Sequence, residues 1–132
     1  AIAGPVLCDR SKPELRNLLV EGPALLHEAG IHAALCTDHP VIPIQYLPLC
    51  AGLTIGAGLD REEALKSITI YAAEVAGISD RVGSLAPGKD ADLVIYDEDA
   101  DPCAGLRGNC ELFALLFRKN LKYAGFFCGN MV

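Results

Sequence analysis

The stretch from Ile31 to Thr37 reads as one continuous apolar strand, and it runs straight into Asp38-His39-Pro40. A strand without polar alternation must be covered on both faces, as happens in a parallel sheet lying between helices. This one delivers a carboxylate at its C-terminal end, where such sheets carry chemistry. Ala1 to Cys8 is a second apolar run and is closed by Asp9-Arg10-Ser11. Ser11-Lys12-Pro13-Glu14 has capping-box spacing with proline at the first helical position. After the Gly22-Pro23 break, a short helix from Pro23 to Ala29 stops at Gly30, a natural left-handed cap. Strands alternating with helices define the α/β class with a parallel sheet. Two strands cannot complete such a sheet, because both expose edges that parallel sheets normally pair or cover.

Composition points the same way. The apolar residues make up 52% of the chain before its 13 glycines are added, whereas a typical soluble domain reaches about 45–50% with glycine included. The chain carries more core than its own surface can enclose, so a missing partner is expected. No apolar run approaches the ~20 residues needed to cross a bilayer, so membrane insertion is not expected. No basic segment followed by an apolar one opens the sequence, which makes the cytoplasm the expected location. A net charge of −6, with Arg118, Lys119 and Lys122 the only cationic cluster, argues against nucleic acid. The six cysteines form no CxxC pair and are expected to be buried free thiols.

Further along, Gln45 to Ala57 is apolar almost all round, as suits a helix buried between neighbours. Asp60-Arg61-Glu62-Glu63 supplies an N-cap and capping box. From there Ala64, Leu65, Ile68, Ala72, Val75 and Ala76 keep a 3.6-residue rhythm that predicts one helix ending at Gly77. The pattern then changes: Pro87-Gly88 has the form of a type II turn, followed by a strand from Ala91 to Tyr96. A boundary near residue 80 divides an α/β part (1–80) from a mostly β part (81–132). Asp97 to Gly108 is acidic and turn-rich, Glu111 to Leu121 suits a short helix or an apolar strand equally, and Tyr123 to Val132 reads as a closing strand.

Three stretches together resemble the C-terminal part of the amidohydrolase superfamily, most closely its imidazolonepropionase-related members. They are Ala34-Leu-Cys-Thr-Asp-His-Pro40, Gly58-Leu-Asp-Arg-Glu-Glu-Ala-Leu65, and Asp80-Arg-Val-Gly-Ser-Leu-Ala-Pro-Gly-Lys-Asp-Ala-Asp-Leu-Val-Ile-Tyr-Asp97. The resemblance covers roughly residues 4–97 and fades in the tail. It implies the last one or two strands and helices of a (β/α)8 TIM barrel, with the active site at the strands' C-terminal ends, plus part of a small β-sandwich domain. Ile31–Thr37 would be the eighth strand, and Asp38 both a metal ligand and the catalytic proton carrier. A carboxylate suits Zn²⁺ or Fe²⁺, and such a metal makes hydroxide available near neutral pH. His39, and Arg10 on the rim of the preceding strand, are candidate substrate-binding residues.

The same resemblance implies a His-x-His on the first strand and further histidines on the fifth and sixth. None has a counterpart among His27, His32 and His39, and one Asp cannot hold a catalytic zinc, which takes three protein ligands. His27 and His32 read as structural. Gly52 to Gly58 ends a helix instead of opening one, so it is not a phosphate loop. The expected function is hydrolysis of a C–N bond in a small, cyclic amide-type molecule, by an enzyme whose N-terminal part is absent from this chain and which forms a homo-oligomer. The chain alone is expected to be inactive and to bind no metal. The alternative is a truncated, non-catalytic half-barrel serving as an interaction module or having no function.

Overall fold

The computed structural model describes residues 1–10 and 12–93 in full, and the backbone of 112–118 and 121–127. The readings placed on Ser11, on 94–96 and 97–108, on 128–132, and on Cys103, Cys110 and Cys128 lie outside the described residues.

Strand β1 (Ile2–Ala3) and strand β2 (Ala34–Leu35) pair in parallel, with Ile2 opposite Ala34 and Ala3 opposite Leu35. The amides of Ala34 and Cys36 donate to the carbonyls of Ala1 and Ala3, each at 2.9 Å. Both strands are shorter than their apolar runs predict. Ala33, Ala34, Leu35 and Thr37 are nevertheless buried, as a strand covered on both faces requires. Ile2 is 63% exposed, so β1 lacks the cover that its composition implies.

The crossover between the strands begins with a 3-10 turn at Pro13–Leu15 and continues into helix α1 (Gly22–Glu28). Gly30, at φ 74°, turns the chain out of α1, a conformation that costs glycine nothing. Helix α2 (Leu47–Gly56) buries Cys50, Ala51, Gly52 and Thr54. The Thr54 hydroxyl is satisfied within the helix by the Ala51 carbonyl at 2.7 Å. The core joins Val6, Ala24, Leu35, Cys50, Ala51, Leu59 and Ala64; its alanines let α2 and the helix that follows it approach β2 closely. Cys8, Cys36 and Cys50 are free thiols, and burial raises the pKa of Cys50.

The single helix predicted beyond Asp60 is two helices, α3 (Arg61–Ser67) and α4 (Ile70–Val75). The break falls on Ser67-Ile68-Thr69-Ile70, three β-branched residues after a serine. The Ser67 hydroxyl donates to the Ala64 carbonyl (2.6 Å) and the Thr69 hydroxyl to the Leu65 carbonyl (2.7 Å). These bonds compete with backbone donors while the branched side chains crowd the preceding turn. Apolar periodicity is blind to both effects. The capping box is also only half made. The Asp60 carboxylate accepts from the amides of Glu62 (2.8 Å) and Glu63 (3.3 Å). The Glu63 carboxylate turns away, toward Lys66 and Tyr71.

From Arg81 the chain folds back on α4. Lys89 N–H donates to Ala86 C=O at 3.2 Å across Pro87-Gly88, and Gly88 has φ 89°, the type II turn read from the sequence. Arg81 and Asp90 form a 2.6 Å ion pair. The Lys89 ammonium donates to the Ser79 and Val82 carbonyls and to the Ser84 hydroxyl. Gly83 sits so close to α4 that a Cβ there would lie 2.7 Å from the Ala73 methyl. The Gly-Ser-Leu-x-Pro-Gly-Lys-Asp phrase is thus a structural clasp. Farther on, β3 (Leu112–Arg118) and β4 (Leu121–Phe127) pair antiparallel, with Arg118 opposite Leu121. The strand alternative holds for residues 112–118.

Candidate active site

Asp38 follows the buried Thr37 at the C-terminal end of β2 and is exposed to solvent. Its backbone has φ 52°, and among the described residues it is the one non-glycine with positive φ. Asp tolerates this left-handed region better than most residues, though at some cost in strain. Its carbonyl accepts the Val41 amide at 2.8 Å, and the Ile42 amide reaches the Thr37 carbonyl at 3.3 Å. The His39–Pro40 peptide inside that turn is cis. The turn follows two residues beyond β2 and leaves the Asp38 carboxylate without a hydrogen-bond partner among the described residues. His39 is exposed beside it.

Arg10 is exposed too, and its guanidinium donates to the Leu18 carbonyl at 2.9 Å, bracing its own loop. No group of three His, Cys, Asp or Glu side chains among the described residues could hold a metal ion. The residues here do not by themselves fit a catalytic metal, since Asp38 is a single ligand where three are normal.

His27 and His32 are engaged elsewhere. His27 Nδ1 lies 3.4 Å from Glu63, His32 Nδ1 lies 3.5 Å from Glu74, and the His32 ring stacks on Tyr71 with centroids 4.1 Å apart. The Tyr71 hydroxyl donates to Glu63 Oε2 at 2.7 Å, and Lys66 reaches Glu63 Oε1 at 2.9 Å. Together these contacts tie α1 and the start of β2 to α3 and α4. Tyr71 was not singled out by the sequence, because a tyrosine at helical spacing reads as core. Its hydrogen bond, followed by that of Lys66, holds the Glu63 carboxyl below the usual carboxylate range. The same bond raises the Tyr71 pKa.

A depressed carboxyl pKa stabilises the fold above the unfolded value of about 4.3, and that stability is lost as pH falls through the folded value. Glu63→Gln is therefore expected to destabilise the protein by about 1–2 kcal/mol near neutrality. The difference should shrink progressively below about pH 4. Urea unfolding at a series of pH values from 6 downward checks this, and a difference that does not shrink as the pH falls contradicts it.

The large apolar cleft lined by Ile68, Ala72, Ile78, Val82, Leu85 and Leu93 shares no residue with the Asp38 turn and has one carboxylate, Asp92, on its lining. It offers shape without convergent chemistry. The turn after β2 is the better candidate, and it has the placement found in α/β proteins whose sites lie beyond the C-terminal ends of parallel strands.

Comparison with known proteins bears on the family of the chain. Residues 8–130 match the model of the amidohydrolase family, and the chain belongs to that family. It is 44% identical over 75 residues to an imidazolonepropionase from Geobacillus kaustophilus, covering 54% of this chain and 18% of that protein. It is 38% identical over 90 residues to an imidazolonepropionase from Shewanella baltica, covering 63% and 21%. The amidohydrolase tasK of Hapsidospora irregularis is 33% identical over 75 residues, 57% of this chain and 8% of that protein. The crystal structure of an amidohydrolase from Thermotoga maritima superposes with a TM-score of 0.83 at 32% identity, covering 94% of this chain and 31% of that one. The chain thus spans about a fifth or less of these curated relatives and about a third of the solved structure. No helix among the described residues is long and apolar enough to cross a membrane.

Proposed function

We propose that this chain supplies one carboxylate, Asp38, to the active site of a larger metal-dependent amidohydrolase that cleaves a C–N bond in a small, cyclic amide-type substrate. The observation that carries the reading is the exposed, left-handed Asp38 at the C-terminal end of a buried parallel strand, within the region matched to the family. Likeness to imidazolonepropionases supports the substrate class. In this reading residues 1–80 are the end of a (β/α)8 barrel with β2 as its eighth strand, and residues 81–132 belong to a small β domain.

Asp38 accepts a proton from the attacking water and passes it to the leaving nitrogen. His39 and Arg10 line the substrate side, Arg10 offering a donor toward a substrate carboxylate. The metal, Zn²⁺ or Fe²⁺, requires ligands from residues outside this chain, and the assembled enzyme is a cytoplasmic homo-oligomer.

The test is reconstitution. The 132-residue chain alone is expected to hold far less than one equivalent of Zn or Fe by elemental analysis, and to hydrolyse no cyclic amide. Adding, as a separate polypeptide, the preceding segment of an imidazolonepropionase relative should restore metal binding and hydrolysis together. About one tightly held metal on the isolated chain would overturn the reading.

A further inference from the structure

We propose that Gly4 is a positioning residue for Asp38, setting the place of the catalytic turn through the backbone of β2. The inference rests on the role proposed above for Asp38. Gly4 follows β1 directly and has φ 138°, a region open in practice to glycine alone. A Cβ built on it would lie 2.2 Å from the Cys36 carbonyl oxygen, 3.2 Å from the Cys36 carbonyl carbon and 3.2 Å from Cys36 Sγ. The nearest obstacle is backbone, which cannot swing aside as a side chain can.

Cys36 itself is held by the hydrogen bond that its amide N–H donates to Ala3 C=O at 2.9 Å. The two strands therefore touch main chain to main chain, two residues before Asp38 and one before the buried Thr37. A methyl group at Gly4 must push the Cys36 peptide away, and the shift passes directly into the Thr37–Asp38 turn. Of the other left-handed glycines, Gly30, Gly58, Gly77 and Gly88 have nothing within 4 Å of such a Cβ, and Gly83 meets α4 instead. Gly4 is the one whose missing side chain bears on the site. In the sequence Gly4-Pro5 lies inside the apolar run from Ala1 to Cys8, and nothing in that run signals the contact with Cys36.

The experiment is a double-mutant cycle in the reconstituted enzyme, with Gly4→Ala, Asp38→Asn and the pair together, and Gly30→Ala as a control that carries left-handed strain without a contact. Gly4→Ala is expected to lower kcat by about 10–100-fold, the scale of a roughly 1 Å misplacement, with KM nearly unchanged. Gly30→Ala should leave kcat alone. The double variant should be no slower than Asp38→Asn, because a residue acting through Asp38 has nothing left to position. The Cys36 amide should exchange faster in Gly4→Ala than in Gly30→Ala.

A normal kcat in Gly4→Ala, multiplicative losses in the double variant, an unchanged Cys36 exchange rate, or a Gly4→Ala protein that does not fold each overturn the positioning role. Near-normal turnover in Asp38→Asn overturns the role of Asp38 itself, and this proposal with it. The two failures are thus told apart by the single variants.

Discussion

Asp38→Asn in the reconstituted enzyme is expected to reduce turnover by at least about 10²-fold at saturating metal, the lower end of what general acid-base assistance supplies. The substitution keeps size and shape while removing the negative charge and the basic oxygen. Asparagine also tolerates the left-handed backbone, so the φ of 52° is no obstacle to the variant. The side chain is exposed and makes no hydrogen bond to a described residue, so no buried partner is orphaned and no cavity opens. Stability should change by less than about 0.5 kcal/mol, as for a surface substitution away from such features. A large loss of rate with an unchanged melting curve is the signature expected of a chemical role. Normal turnover and normal metal content would show instead that Asp38 merely closes the turn with Val41.

The isolated chain is expected to self-associate. Eleven large apolar side chains among the described residues are exposed, including Ile2 at 63%, Val41 at 62% and Leu85 at 79%. Covering the exposed half of each is worth about 1 kcal/mol, or on the order of 10 kcal/mol together. That is comparable with an association cost of about 4–15 kcal/mol. The balance predicts concentration-dependent, heterogeneous association in place of one tight dimer. The open edges of the two-stranded parallel sheet add a second route to it. Light scattering should show mass above the monomer at micromolar concentration, and the segment used in reconstitution should convert it to one defined complex. A stable, soluble monomer with a single cooperative unfolding transition contradicts both the association and the incomplete-unit reading.

Much of the α/β part was legible because its signals are local. Gly30, Gly77 and Gly88 each mark a turn that needs positive φ, and Asp60 caps its helix as its residue type dictates. The run from Ile31 to Thr37 gave both a buried strand and the position of Asp38. Other features depend on competition between neighbours and were not legible. At Ser67–Ile70 the Ser67 and Thr69 hydroxyls take carbonyls of the preceding turn where three consecutive β-branched side chains crowd it, a combination that an apolar count does not register. The Glu63 carboxylate is drawn from its expected capping role by Tyr71 and Lys66, and Tyr71 reaches it from the next helix. Residues 111–121 suited helix and strand alike, because a short apolar run carries no period. Pairing with 121–127 decided the matter for β3.

By itself, then, the sequence determined the elements whose cause lies within a few residues: the presence of two apolar strands, the glycine turns, the Asp60 cap, and the carboxylate just beyond β2. Only the tertiary structure decided which distant groups meet. It placed the Gly4 Cα hydrogens against the Cys36 carbonyl across two parallel strands, and it gave His27, His32 and Tyr71 to a glutamate cluster spanning α1, β2, α3 and α4. The physical reason is that caps and turns are satisfied by neighbours along the chain, whereas close backbone approach and side-chain charge networks depend on how separate elements pack.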